Sequence, residues 1–180
     1  MPIYRYPGIN PFSSNEQNVY FGRDEDIENL YTSVILNQCT VMTGKSGIGK
    51  TSLIYAGLLP KIEKEINNNE REKRQIVTLP IRIGIWTKDD PVSLMDKLKQ
   101  TLVAETSDDG FMKFLPNHHK ESLWFKLKEM QFASRTDSRK KIYLLLFDQL
   151  EELFTYPYEQ FKELVKELKE IISTNLPDPI

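Results

Sequence analysis

Hydrophobic and polar positions recur at two spacings along the chain, one helical and one extended, and the alternation between them sets the expected architecture. After Asp24, which can cap a helix, Ile27, Leu30, Tyr31, Val34 and Ile35 recur at three- and four-residue intervals to about Leu36. That spacing predicts an amphipathic helix with one core face, ended at Asn37. The short apolar segment from Cys39 to Met42, bounded by Gln38 and Gly44, predicts a buried strand feeding a turn, with Cys39 as a small buried hydrophobe. A helix of about two turns follows from Lys50 to Leu58, stopped near Pro60. The run KIEKEINNNEREKR from Lys61 to Arg74 is charged or amide-bearing almost throughout and reads as a helix end and a solvated connection.

Beyond it, Ile76 to Trp86 is apolar and β-branched, which predicts one strand, or two joined at Pro80. Asp89, Asp90 and Pro91 then open a helix to about Ala104. A further helix is expected over about Glu121 to Phe132, with Leu123, Leu127 and Met130 on one face. The most hydrophobic segment, IYLLLFD, predicts a strand ending at Asp148, followed by a turn and a last helix from about Tyr158 to Ile172. Strands alternating with helices indicate a parallel α/β sheet. The first 23 residues carry three prolines and two glycines among aromatics, which predicts an ordered arm of turns.

Length and charge narrow the reading. At 180 residues the chain suits one core, and 24 Lys and Arg against 26 Asp and Glu leave no positive field for nucleic-acid binding by charge alone. The single cysteine cannot form an internal disulfide, no apolar run reaches the length of a membrane span, and the N-terminus lacks a signal-peptide core. A soluble, cytoplasmic protein is expected. His118 and His119 have no Cys or His partner at metal-ligand spacing and read as exposed, while Trp86, Trp124 and Phe125 read as core or interface.

Two segments carry chemistry. Gly44, Lys45, Ser46, Gly47, Ile48, Gly49, Lys50 and Thr51 match the phosphate-loop pattern G-x-x-x-x-G-K-[ST] between an apolar segment and a helix. Glycines let successive amides turn inward toward phosphate oxygens, and the following helix, which begins with Lys50, Thr51 and Ser52, adds its positive end. Lys50 is expected to reach the outer phosphates of ATP or ADP, and the Thr51 hydroxyl to ligate Mg2+. In the second segment Asp148, at the end of a buried strand, has the position of the Walker B acid that holds magnesium. Glu152 and then Glu151 follow as residues able to orient or deprotonate an attacking water, or simply as acids favourable at a helix start.

The combination of YPGINPF, VYFGRDEDI, GKSGIGKTSLIYAGLLP and FDQLEELFT resembles the STAND class of signalling ATPases, specifically its bacterial novel STAND NTPase group. The likeness covers the arm, the phosphate loop with its helix and the Walker B region. It implies a three-layer α/β/α P-loop NTPase fold with a mainly parallel sheet, with residues 1–23 as a base-contact arm and 24–180 as the core. It also implies that Val19, Tyr20, Phe21, Gly22 and Arg23 lie beside the phosphate loop and contact the base, favouring adenine. Read from the residues alone, Tyr20 and Phe21 are equally core anchors, and Arg23 an ion-pair partner of Asp26 or Glu28.

Full STAND proteins continue with a sensor strand, a helical lid and a winged helix. The chain stops at LPDPI where that strand is expected, so the fold is expected to be incomplete, with two central strands left unpaired on facing edges. The piece is then expected to be marginally stable or to associate with itself, another chain or the remaining modules completing the sheet, and to hydrolyse ATP weakly or not at all. The resemblance implies an ATP-driven switch that oligomerises, with several bacterial members acting in defence against phage. The alternative is a nucleotide-holding interaction module without turnover; a small-molecule kinase fits less well, because the KDDPVS loop offers acids where lid arginines are needed.

Overall fold

The computed structural model describes residues 11–101, 122–133 and 139–173. The chain divides into two compact units, Met1–Glu72 and Lys73–Ile180. The expected helix end near Ala104, the residues up to Asn10, and His118 and His119 lie outside the described residues.

In the first unit the arm forms a 3-10 turn, Ser14–Val19. Ser13 starts it with a reciprocal cap: its backbone N–H and its hydroxyl donate to the Glu16 carboxylate at 2.8 and 2.7 Å, which holds that carboxyl below its ordinary range. Helix α1, Asp24–Leu36, follows as the spacing predicts, but none of its residues is fully buried. Ile27, Leu30, Tyr31, Val34 and Ile35 are half-buried, Leu36 is exposed, and the helix packs on α2, a continuous helical run over 50–67.

Helix α2 is longer than the sequence reading, because Pro60 does not stop it. The run comprises Lys50–Ser52 in α form, Leu53–Leu58 in π form, Leu59–Ile62 in α form and Glu63–Asn67 in π form. Proline lacks the N–H that would bond residue 56, and its ring crowds that carbonyl in a regular α-helix. Widening the preceding turn, with Leu59 N–H donating to the Ile54 carbonyl, relieves the crowding and lets the helix pass through. Leu53, Ala56, Leu58, Ile62 and Ile66 give the unit its buried side chains. Gly57 is where the two helices meet: a β-carbon there would sit 2.7 Å from Ile27 Cγ1, which no real contact allows. Lys61 ties the pair further, reaching Glu28 at 2.5 Å and lying 5.0 Å over the Tyr31 ring. The Glu28 carboxylate holds the Lys61 ammonium above its ordinary pKa against the opposing pull of burial.

The buried strand expected over Cys39 to Met42 does not form. Residues 39–45 make no ladder hydrogen bonds, Cys39 is exposed and Val41 is 73% exposed. An apolar segment becomes a strand only when a neighbour takes its N–H and C=O groups, and no described residue does so here. What holds the segment is local: Thr40 Oγ1 donates to the Ser33 carbonyl of α1 at 3.1 Å.

The second unit is mixed α/β. Strands β1, Arg74–Arg82, and β2, Lys140–Asp148, pair in parallel in an unbroken register from Arg74 opposite Lys140 to Arg82 opposite Asp148. Pro80 lies inside β1 without dividing it, since β1 pairs on one edge alone among the described residues. Helices α3, Leu94–Thr101, α4, Leu123–Ala133, and α5, Tyr158–Ser173, complete the unit. Leu123, Leu127 and Met130 are buried as their spacing predicts, joined by Ile81, Ile83, Leu94, Leu98, Tyr143, Leu153 and Leu164 in one core. Phe125 is buried, Trp124 half-buried, and Trp86 packs against the core.

Helix α5 packs on α3 and α4 and also satisfies their open ends. Gln160 accepts from the Leu94 N–H at 2.9 Å and Glu167, two turns later on the same face, accepts from the Leu123 N–H at 2.8 Å. The first N–H groups of a helix have no partner within it, so one helix supplies acceptors to two others. The Glu167 carboxylate is also placed at the positive end of α4.

Candidate functional site

The phosphate loop lies wholly in the first unit. Gly47 and Gly49 have φ of +77° and +91°, a region that residues with a β-carbon rarely adopt, and Gly49 caps the start of α2. Residues 44–48 are exposed, whereas Gly49, Lys50 and Thr51 are half-buried. The Lys50 ammonium folds back over the loop and donates to the carbonyls of Gly44 at 2.8 Å and Lys45 at 3.1 Å. It has no carboxylate partner among the described residues. A loop with left-handed glycines, an unpaired cation and a helix N-terminus is built to receive an anion, so these residues fit a nucleotide phosphate chain.

The arm is brought to the same loop. Arg23 Nη1 donates to the Ile48 carbonyl at 3.3 Å, and its Nε pairs with Asp26 in the first turn of α1. The same guanidinium nitrogen lies 3.8 Å from where a Gly49 β-carbon would be. Ser52 is buried, and its hydroxyl accepts from the Phe12 N–H at 3.1 Å, which fastens the arm to α2. Of the two aromatics, Tyr20 packs its ring 5.3 Å from Phe12, and burial raises its hydroxyl pKa. Phe21 is 74% exposed and precedes Gly22, whose φ is +80°. Arg23 thus pairs with Asp26, Tyr20 packs within the arm, and Phe21 is no core anchor.

In the second unit Asp148 closes β2, its side chain 13% exposed, with Arg82 Nη2 3.5 Å from its carboxylate. Gln149 then takes a left-handed conformation, φ 57°, at a cost of about 1 kcal/mol for a residue with a β-carbon. That kink turns the chain into a 3-10 turn, Leu150–Thr155, on which Glu151 is exposed and Glu152 half-buried. The turn is clamped to the loop after β1. Thr155 Oγ1 donates to the Glu152 carbonyl at 2.7 Å and accepts from the Trp86 N–H at 2.9 Å. Tyr156 OH donates to the Ile83 carbonyl at 3.0 Å and accepts from Lys97 at 2.9 Å.

Sequence reading did not single out Arg82 or Thr155, and read Trp86 as core or interface without its backbone bond to Thr155. The one signal for Arg82 was its place as the charged residue near the end of an apolar run, and only the register shows which residue it faces. Among the described residues no group of three His, Cys, Asp or Glu side chains forms a metal cage. Hydroxyl and carboxylate oxygens, completed by phosphate oxygens and water, suit magnesium; Thr51 offers the first kind in the first unit and Asp148 the second kind in the second unit. No described helix is long and apolar enough to cross a membrane.

No curated protein and no solved structure matches the chain. A family model does: the one described as Novel STAND NTPase 1 matches residues 5–177, nearly the whole length. The chain therefore belongs to the Novel STAND NTPase 1 family, a family of nucleoside triphosphatases.

Proposed function

We propose that the chain binds ATP or ADP with magnesium and serves as the nucleotide switch of a STAND-type signalling ATPase. Gly44 to Thr51 hold the phosphates, and Thr51 and Asp148 are the magnesium residues. Lys50 carries this reading: a half-buried ammonium that donates to two loop carbonyls, without a carboxylate, above left-handed glycines and a helix start. Phosphate oxygens replace those carbonyls as stronger, charge-assisted acceptors. The exposed Phe21 ring, beside Gly22 and next to an Arg23 that touches the loop, supports a base contact by the arm and a preference for adenine. Glu152 and Glu151 are the residues assigned to the attacking water.

Calorimetry with ATP, ADP and GTP in the presence of magnesium tests the reading, on the wild type and on Lys50→Ala. ATP or ADP is expected to bind, GTP much more weakly, and Lys50→Ala to lose about 2 to 3 kcal/mol of binding free energy. Equal binding by Lys50→Ala, or none by a folded wild type, would refute it.

A further inference from the structure

We propose that Arg82 is a built-in counter-ion for Asp148, which a divalent cation must displace, so that Arg82 sets the magnesium concentration at which the site loads. The inference rests on the reading of Asp148 as a magnesium residue. Its own support is the meeting of two strand ends.

Arg82 and Asp148 are register partners in a parallel ladder, so their side chains leave the same face of the sheet. On either side of Arg82, Ile81 and Ile83 are buried at 1% and 3% exposure. Strand alternation therefore directs Arg82 away from the core, and its own side chain is 71% exposed against 13% for Asp148. The carboxylate cannot turn into water to stabilise its charge, whereas the guanidinium can leave for water without moving the backbone. That backbone is held, since the Ile83 carbonyl accepts the Tyr156 hydroxyl hydrogen bond.

At 3.5 Å the pair is longer than the 2.7 to 2.9 Å of a charge-assisted hydrogen bond, a contact of charges with no tight fork geometry. With no tight geometry and a guanidinium that is 71% exposed, the pair is easily broken. Asp148 would hold a magnesium ion directly or through a water ligand, and Arg82, whose guanidinium is free to swing into solvent, would then give up the carboxylate. Arg82 is thus a positioning residue, not a catalytic one: it neutralises the carboxylate before metal arrives and competes with metal afterwards.

The test is ATP binding by the 180-residue chain, followed calorimetrically across a magnesium series, for the wild type, Arg82→Gln, Arg82→Lys and Asp148→Asn. Arg82→Gln is expected to lower the half-loading magnesium concentration by roughly two- to fivefold. Arg82→Lys should return it toward the wild-type value. Asp148→Asn should abolish the magnesium dependence. An unchanged or raised midpoint in Arg82→Gln, with Asp148→Asn still abolishing the dependence, overturns the role of Arg82 and leaves the magnesium reading standing. A normal magnesium response in Asp148→Asn, or none in the wild type, removes the magnesium role of Asp148 and the inference with it.

Discussion

The two units hold their functional segments in opposite ways. In the first, the phosphate loop is exposed, its shape comes from glycine conformations, and its braces are a lysine and an arginine that bond to backbone carbonyls. In the second, the segment after Asp148 is fixed by side-chain hydrogen bonds from Thr155 and Tyr156 to the loop after β1, over a core that draws on both strands and three helices. A loop that must wrap a ligand keeps its polar groups satisfied by contacts that the ligand can replace. The turn after Asp148 is instead held by hydrogen bonds within its own unit, from Thr155 and Tyr156. The first arrangement favours adaptable binding and the second preorganisation.

If that contrast is right, the second unit should depend steeply on single core side chains. Leu164 of α5 is fully buried, at 0% exposure, in the core of this unit, and α5 packs on α3 and α4. Leu164→Ala is expected to cost about 2 to 5 kcal/mol through lost burial and the cavity left behind. Both tryptophans of the chain, Trp86 and Trp124, belong to this unit, so their fluorescence in a urea titration reports on it directly. A change below about 0.5 kcal/mol, the scale of a surface substitution, would mean that the core is looser than its burial indicates.

The first unit offers a test of opposite sign, because there a gain of atoms should be harmful. Gly57→Ala improves helix propensity by about 1 kcal/mol, yet its β-carbon would meet Ile27 Cγ1 at 2.7 Å. Ile27 is β-branched and stiff at that atom, so overpacking is expected to win, with a net loss of about 1 kcal/mol. Amide exchange over 50–67 reads the effect where no tryptophan reports. Adding Ile27→Val, which trims the side chain but keeps its branch, should leave the loss in place, whereas Ile27→Ala should relieve the clash. Faster exchange in the single variant that Ile27→Ala fails to slow would place the cause elsewhere, in the π-form turns of α2.

Which parts of this contrast were legible in the sequence follows from how local each one is. The phosphate loop is a spacing of glycine, lysine and threonine within eight residues, and the end of β2 at Asp148 is an apolar run closed by one acid. In the structure Gly47 and Gly49 are left-handed and β2 ends at Asp148, as those local patterns suggest. Pro60 misled because its usual meaning, a helix stop, assumes α geometry, and a π-form turn avoids the clash that stops a helix. The segment from Cys39 to Met42 has the composition of a strand, but pairing depends on a neighbour that local pattern cannot supply. Arg82 and Thr155 escaped for the same reason, since each acts on a residue 66 or 69 positions away, Asp148 or Trp86.

The smallest expected effect concerns pH and the clamp of the second unit. Lys97 pairs with Asp90 and donates to Tyr156, whose hydroxyl holds the Ile83 carbonyl. The Lys97 hydrogen bond, with one from the Val92 N–H, holds the Asp90 carboxyl below its ordinary pKa. Burial pulls the Lys97 ammonium down, but its bonds to Asp90 and Tyr156 outweigh that and raise it. A carboxyl with a depressed folded pKa stabilises the fold above its unfolded pKa of about 3.9, and the contribution is lost as pH falls through the lower folded value. For Lys97 the contribution is present below about 10.4 and is lost as pH rises through the raised folded value. The pair is therefore intact from about pH 5 to 10. In Asp90→Asn the drop in melting temperature between pH 5 and pH 2.5, followed by tryptophan fluorescence, should be smaller than in the wild type, with little change near pH 7 in its shape. An unaltered acid slope would show that the clamp on the Glu152 turn does not draw on this ion pair, leaving Tyr156 and Thr155 to hold it by neutral hydrogen bonds.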